Sequence, residues 1–433
     1  MKILILTVGT RGDVQPYVAV GKTLVERGHE VMICAPETFA TFITDHGLQY
    51  GPMPNDILDL LDTQAGRDAM ENTNGVLGAA RTTLKLIKRV KPIQQGIMQA
   101  CYDAARDFAP EALLCHVKTL CGVHLAEKFN IPVVLTLPLP AMVPTAEFPA
   151  LGMPALTLPG PLQSSYHRFS YQLVKLGLAA YRGLIQKFRT DVLQLPAQPG
   201  DVDFLHHTDG RAVPFLHLYS SHVGPVASDW PESTAVTGYA FLASPPWEMP
   251  EDLRAFLAHP EAPVYIGFGS IGGKDPAATA KTVLEAVRRA KVRAVLATGW
   301  GGLKPEQVPE NVFVIEHAPH EHLFPHMAAV VHHGGAGSTA AGLRAGKPTL
   351  ICPFFGDQPF WGERVRQLKV GPAPIPQKQL TAAKLAHALR LICYNETFQH
   401  NARQLATQLQ EEQGNQRAAD FLETHFALAA HRA

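Results

Sequence analysis

The chain has 433 residues, 46% of them apolar and 18% charged, a composition that excludes a disordered segment or a coiled coil and suits two or three domains. Lys plus Arg equals Asp plus Glu at 38 each, which argues against a nucleic-acid protein that relies on a net basic surface. No apolar run reaches the ~18 residues of a membrane span. The run at residues 3–8 is too short for a secretory leader, and six scattered cysteines lack metal or redox spacing, so a cytoplasmic protein with buried reduced thiols is expected.

Residues 3–8 read as a strand buried on both faces. Gly9-Thr-Arg-Gly-Asp13 follows as a turn, and a helix with apolar residues at helical spacing runs to Gly28. Strands are then expected at 31–35, 112–115 and 133–137, with 215–219 as the last of this half. A second series starts at Val264, with strands at 264–270, 294–296, 312–315, 329–331 and 350–352, and helices between them. Strands alternating with helices predict parallel sheets, hence an α/β protein of two doubly wound, Rossmann-like halves. The expected division is a first domain over 1–220, a linker over 221–262, a second domain over 263–394, and a helical segment over 395–433 that packs back on either half.

Two segments break the rhythm. Residues 138–161 carry seven prolines and should form a long ordered loop at a sheet edge, of the kind that lines a binding site. Residues 76–108 and 166–189 are helical patterns with clustered basic residues: Lys85, Lys88, Arg89 and Lys91 in the first, and Arg168, Lys175, Arg182, Lys187 and Arg189 among aromatics in the second. They read either as solvated helix faces or as a surface for peripheral membrane contact.

His332-His-Gly-Gly-Ala-Gly-Ser-Thr339 lies between a buried strand and a helix, where backbone N–H groups and the positive helix end suit a diphosphate. Downstream, Asp357-Gln358 sits past the next strand, where a carboxylate beside a carboxamide suits sugar hydroxyls. Asp13 reads either as a general base or as a cap for its helix. His116 orients that base or the acceptor, or is a core histidine. The run His317, His320, His322 and His326 lacks the convergence of a metal site, and the opening glycines lack dinucleotide spacing.

Together, Gly9-Thr-Arg-Gly-Asp-Val-Gln-Pro16, Gly267-Phe-Gly-Ser270, the His-His-Gly-Gly string and Phe355-Gly-Asp-Gln-Pro-Phe-Trp-Gly362 resemble family 1 glycosyltransferases of the two-Rossmann (GT-B) type. The resemblance runs over nearly the whole chain and is closest to bacterial and fungal sterol 3-β-glucosyltransferases, then to antibiotic glycosyltransferases. It implies two domains facing each other across a cleft, 1–220 binding the acceptor and 263–394 the nucleotide-sugar, and inverting transfer of a hexose, glucose by the same resemblance, from UDP to a bulky apolar hydroxyl acceptor. No metal or cofactor and no nucleic acid is implied. His333, Ala336, Gly337, Ser338, Thr339 and Ser270 match the diphosphate site, Asp357 and Gln358 the hexose site, and the backbone of Ala318 the uracil edge. Asp13 falls at the catalytic position. Two positions depart from the plant pattern: His317 stands at the base-stacking aromatic and Ala341 at the ribose-binding Glu. An antibiotic- or flavonoid-type acceptor, a UDP-sugar 2-epimerase and a non-catalytic UDP-sugar sensor are the alternatives.

Overall fold

The computed structural model describes residues 1–62, 76–198, 203–207, 209–269, 275–299 and 307–430, with the side chains of 61–88 left aside. Ser270 and the side chains of Lys85 and Lys88 therefore lie outside the described residues. The chain divides into two compact units, Met1–Leu242 with Gln413–Ala433, and Ala243–Glu412.

The first unit holds a seven-stranded parallel sheet in the order β3-β2-β1-β4-β5-β6-β7. Its strands are β1 (Lys2–Leu6), β2 (Glu30–Pro36), β3 (Gln49–Met53), β4 (Ala112–His116), β5 (Val133–Leu137), β6 (Phe215–His217) and β7 (Thr234–Val236). The central strands alternate between two buried faces, as a sheet covered on both sides requires. Ile3, Ile5, Val134 and Leu216 pack with helix α1 (Arg11–Glu26), whereas Leu4, Leu6, Leu135 and Phe215 pack with α2 (Val76–Phe108) and α3 (Gly122–Phe129).

Three expectations are corrected here. Residues 215–219 do not hold the last strand, because β7 follows inside the span read as a linker. Its Thr-Ala-Val core is too short and half-buried to show period-two patterning. Strand β3 was not expected either, since Gly51 and Pro52 are poor strand formers, yet Pro52 is tolerated on this edge strand. The helical pattern at 166–189 starts earlier and breaks: α4 is Gly160–Ala179, with Pro161 at its first turn, and a second helix covers Arg182–Lys187.

The second unit has a five-stranded parallel sheet in the order β10-β9-β8-β11-β12. Its strands are β8 (Val264–Gly267), β9 (Ala294–Ala297), β10 (Val312–Ile315), β11 (Ala329–His332) and β12 (Thr349–Ile351). One face packs on α5 (Pro276–Ala290), and the other on Leu253, Leu323 and Phe324. Helix α6 (Ala336–Arg344) follows β11, and α7 (Gln358–Gln367) follows β12. The C-terminal segment splits. Glu396–Glu411 belongs to the second unit, while the terminal helix Gly414–Ala430 packs on α1 in the first through Ala418, Ala419, Leu422 and Phe426.

Candidate active site

Each sheet has one point where strand order reverses, β1/β4 in the first unit and β8/β11 in the second. There the loops leaving two adjacent strands run in opposite directions and open a crevice at the carboxyl ends. In the first unit Asp13 and His116 meet at this point; in the second the His332–Thr339 turn follows β11 there, Asp357 and Gln358 follow the neighbouring β12, and Ala318 lies apart beyond β10.

In the first unit, Thr10 is the N-cap of α1 and Asp13 its third residue. Asp13 Oδ2 accepts the Thr10 N–H at 3.0 Å and the Thr10 hydroxyl at 3.3 Å. This is the acidic half of a capping box. The other oxygen, Oδ1, accepts from Lys118 Nζ at 2.6 Å and stands 3.5 Å from His116 Nε2. So the carboxylate serves the helix start with one oxygen and presents the other to a cationic and an imidazole neighbour. Gly9 permits this: its φ is +134°, and a Cβ there would overlap the Asp13 carboxylate.

His116 ends β4 and is fully buried, while the Asp13 side chain keeps 17% exposure. Its Nδ1 accepts the Lys118 N–H at 3.1 Å, which places the ring proton of the neutral form on Nε2, facing Asp13. Burial pushes the His116 pKa down, so the ring is mostly neutral at pH 7. Burial alone would raise the Asp13 carboxyl, but the charge of Lys118 and the contact with His116 outweigh it and hold the group below the ordinary carboxylate range. Val117, Leu120, Val123, Leu135 and Phe204 line a small recess beside His116.

The proline-rich loop is fastened from two sides. Asp229 accepts from the Thr145 hydroxyl and from the Ala146 N–H at 2.8 Å, and Trp230 Nε1 donates to Val143 O at 3.2 Å. From α4, His167 Nδ1 bonds Ala146 O at 2.8 Å and Ser170 Oγ accepts the Ala150 N–H at 2.8 Å.

In the second unit, Gly267, His332 and Ile351 lie abreast at the strand ends. His332 is buried and turns its Nδ1 back to accept the Gly334 N–H at 2.9 Å, shaping the turn. His333 lies against two glycines: a Cβ on Gly269 would come 2.9 Å from its ring, and one on Gly335 2.7 Å. Burial lowers the His333 pKa to about 4, and its Nδ1 has no hydrogen-bond partner among the described residues. Ala336, Gly337 and Ser338 form the first turn of α6, whose N–H groups have no acceptor within the helix. Thr339 differs: it is fully buried and gives its hydroxyl proton to Gly335 O at 2.9 Å, so it braces the turn.

After β12, Asp357 stands at the N-terminal flank of α7 without a side-chain cap bond, and its Oδ2 accepts from the indole of buried Trp361 at 2.8 Å. Gln358 Oε1 accepts the N–H groups of Phe354 and Phe355 at 2.7 and 3.3 Å, which leaves the carboxamide NH2 as the end that can donate to a ligand. Ala318 lies beyond β10 at the sheet's far edge, half-buried against the Leu323 and Phe324 cluster. His320 stacks on Phe324 at 4.2 Å, and His322 reaches Pro245 O at 3.1 Å, so these two rings of the histidine run are spent on separate partners.

Residues 3–146 match the glycosyltransferase family 28 N-terminal domain, and residues 290–423 match the C-terminal domain of erythromycin biosynthesis protein CIII-like proteins. A sterol 3-beta-glucosyltransferase of Arabidopsis thaliana is 36% identical over 434 residues, 98% of this chain and 68% of its own length. The chain belongs to the sterol glucosyltransferase family. It is a glycosyltransferase with a GT-B fold. A second Arabidopsis thaliana relative of the same name is 35% identical over 96% of this chain and 64% of its own length. A sterol 3-beta-glucosyltransferase of Aspergillus clavatus is 33% identical, and this glycosyltransferase spans 29% of that protein's length. Among solved structures, the glycotransferase of kitacinnamycin matches with a TM-score of 0.71 and 20% identity, covering 98% of this chain and 99% of its own. The calicheamicin glycosyltransferase matches with a TM-score of 0.69 and 20% identity, covering 99% of each chain.

The sequence pattern of the glycosyltransferase missed Lys118. The short turn Val117–Thr119 after β4 folds that lysine back onto Asp13, a residue 105 positions away, and only the pairing of β1 with β4 brings the two together.

Proposed function

We propose that this glycosyltransferase moves a hexose from UDP to a hydroxyl of a bulky apolar acceptor of the sterol type, with inversion at the anomeric carbon. The observation that carries the reading is the coincidence of chemistry and topology, since each sheet has a candidate cluster at its reversal point. Asp13 takes the acceptor proton as the oxygen attacks, with His116 orienting the carboxylate. A carboxylate held ionised is a weak base in the ground state and acts mainly as charge develops.

On the donor side, the N–H groups of Ala336, Gly337 and Ser338 and the ring of His333 hold the diphosphate, with Ser270 as a further donor. An acceptor oxygen from a ligand would satisfy a buried ring nitrogen whose isolation costs about 1–3 kcal/mol. Thr339 supports this turn from behind. Asp357 and Gln358 hold the hexose, oriented by Trp361 and by the backbone of Phe354, and Ala318 meets the uracil edge. Helix-end N–H groups and His333 stabilise the leaving diphosphate in place of a divalent cation. A lipid-like acceptor also makes peripheral membrane contact part of the reading.

The test is a transfer assay of UDP-hexoses against sterols and other polycyclic alcohols, read by mass spectrometry. Asp13→Asn should lower kcat by at least about 100-fold with UDP affinity unchanged. Full turnover in Asp13→Asn would remove the carboxylate from the reaction. Activity should persist in excess chelator, and its complete loss there would overturn the metal-free reading.

A further inference from the structure

We infer that Gln94 is a positioning residue of the transfer reaction, acting through Lys118 on the carboxylate of Asp13. On α2, Gln94 precedes Ile97, Met98 and Cys101 by three, four and seven residues, and all four are buried. It thus stands in the stripe that covers the first sheet, where packing alone would take Leu or Met. A carboxamide is costly there unless its donors are used. They are used: the Gln94 NH2 donates to Lys118 O at 3.1 Å and to Thr119 O at 3.0 Å. One side chain of a distant helix therefore holds both carbonyls of the turn that carries Lys118.

The strand side holds the same turn. The Lys118 N–H donates to His116 Nδ1 at 3.1 Å, and the Thr119 hydroxyl donates to His116 O at 2.9 Å. Leu120 closes the turn at φ +60°, in the left-handed region that a bulky side chain enters only where its surroundings hold it. The backbone of Lys118 is thus fixed on both sides, its N–H toward β4 and its C=O toward α2. The side chain is another matter. It is 52% exposed, on a flexible four-carbon stem with many rotamers open to it. An exposed ammonium on a loose backbone would gain little from a single carboxylate oxygen. From this fixed backbone it reaches Asp13 Oδ1 at 2.6 Å. The part that this gives Gln94 in transfer rests on Asp13 being the base, as proposed above, whereas the link from Gln94 through Lys118 to Asp13 does not.

The link is read without any transfer, by competitive acetylation of the full chain with acetic anhydride and mass spectrometry of the Lys118 peptide. Gln94→Met keeps the length and helix preference of the side chain and removes its donors. It should label Lys118 about three-fold faster, with Lys128 on α3 labelled at the wild-type rate. Gln94→Asn, one methylene short of the carbonyls, should do the same, and it carries the test if Gln94→Met does not fold. Asp13→Asn should also speed Lys118, and adding Gln94→Met to it should change the rate by less than about two-fold. A wild-type rate at Lys118 in the Gln94 variants, or an equal rise at Lys128, would overturn the proposal. So would the full three-fold step on the Asp13→Asn background, which marks Gln94 as a brace for the turn alone. In transfer, Gln94→Met should alter kcat in the wild-type background and by less than about two-fold on the Lys118→Met background, with the donor KM unchanged. An equal change of kcat in both backgrounds removes the positioning role. Labelling as expected, in a chain whose Asp13→Asn variant keeps full turnover, upholds the link and sinks Asp13 as the base.

Discussion

At the scale of single residues, the Asp13 carboxylate is governed by a lysine that the local pattern does not reveal. Lys118 Nζ lies 2.6 Å from Oδ1, and its charge is the leading influence opposing the effect of burial. Removing the ammonium in Lys118→Met should leave burial dominant and raise the Asp13 pKa. The acid limb of kcat/KM should then move to higher pH, with the donor KM unchanged. A pH profile superimposable on wild type would show that Lys118 does not set the carboxylate. For folding the sign is the reverse: a carboxyl held below its unfolded value, about 3.9, adds stability above that pH and loses it as pH falls through the folded value. His116 was legible because it ends a recognisable strand, and Asp13 because it lies in the first turn of the helix that follows one. The bracing of Asp357 by Trp361 was legible only as a motif, since a sequence does not show which oxygen an indole four residues on will engage.

At the scale of elements, the terminal helix shows which forces hold a distant segment. Arg27 reaches Asp420 at 2.7 Å and Glu423 at 2.8 Å, and His29 reaches Glu423 at 3.0 Å. These pairs are partly solvated and worth up to about 1 kcal/mol each. Beneath them Ala418, Ala419, Leu422 and Phe426 are fully buried. Phe426→Ala should therefore cost about 3–5 kcal/mol in denaturant unfolding, and Arg27→Ala about 1 kcal/mol. The opposite ranking would mean that charge fastens this helix. The amphipathic pattern over 396–428 was visible, but its division at Glu412 was not, because both halves carry the same helical period and differ only in what they cover. Strands β3 and β7 escaped for a related reason. Both flank the first sheet and are too short or too rich in Gly and Pro to announce themselves.

At the scale of the whole molecule, buried histidines set the response to acid. Burial lowers His124 and His333 to about 4 and His217 to about 3, and pushes His116 and His332 downward as well. An unfolded histidine binds a proton near pH 6.5, so below that value the unfolded chain holds protons the native one refuses. Each such histidine removes up to about 1.4 kcal/mol of stability per pH unit until its folded pKa is reached. The melting temperature should be level from about pH 7 to 8 and fall steeply from about 6.5 toward 4, ahead of the carboxylate range. A plateau that persists to pH 5 would contradict the burial of these rings.

The alternation of strand and helix, the Gly-rich turns and the spacing of their polar residues are local properties, written in side-chain period and backbone freedom. From them the α/β class, the two βα series and most candidate residues follow without coordinates. Strand order, the return of the last helix to the first unit, the lysine beside Asp13 and the Gln94 carboxamide that holds its turn belong to the tertiary structure. Each depends on packing between segments far apart in the chain, and no local periodicity encodes which of several compatible faces will meet.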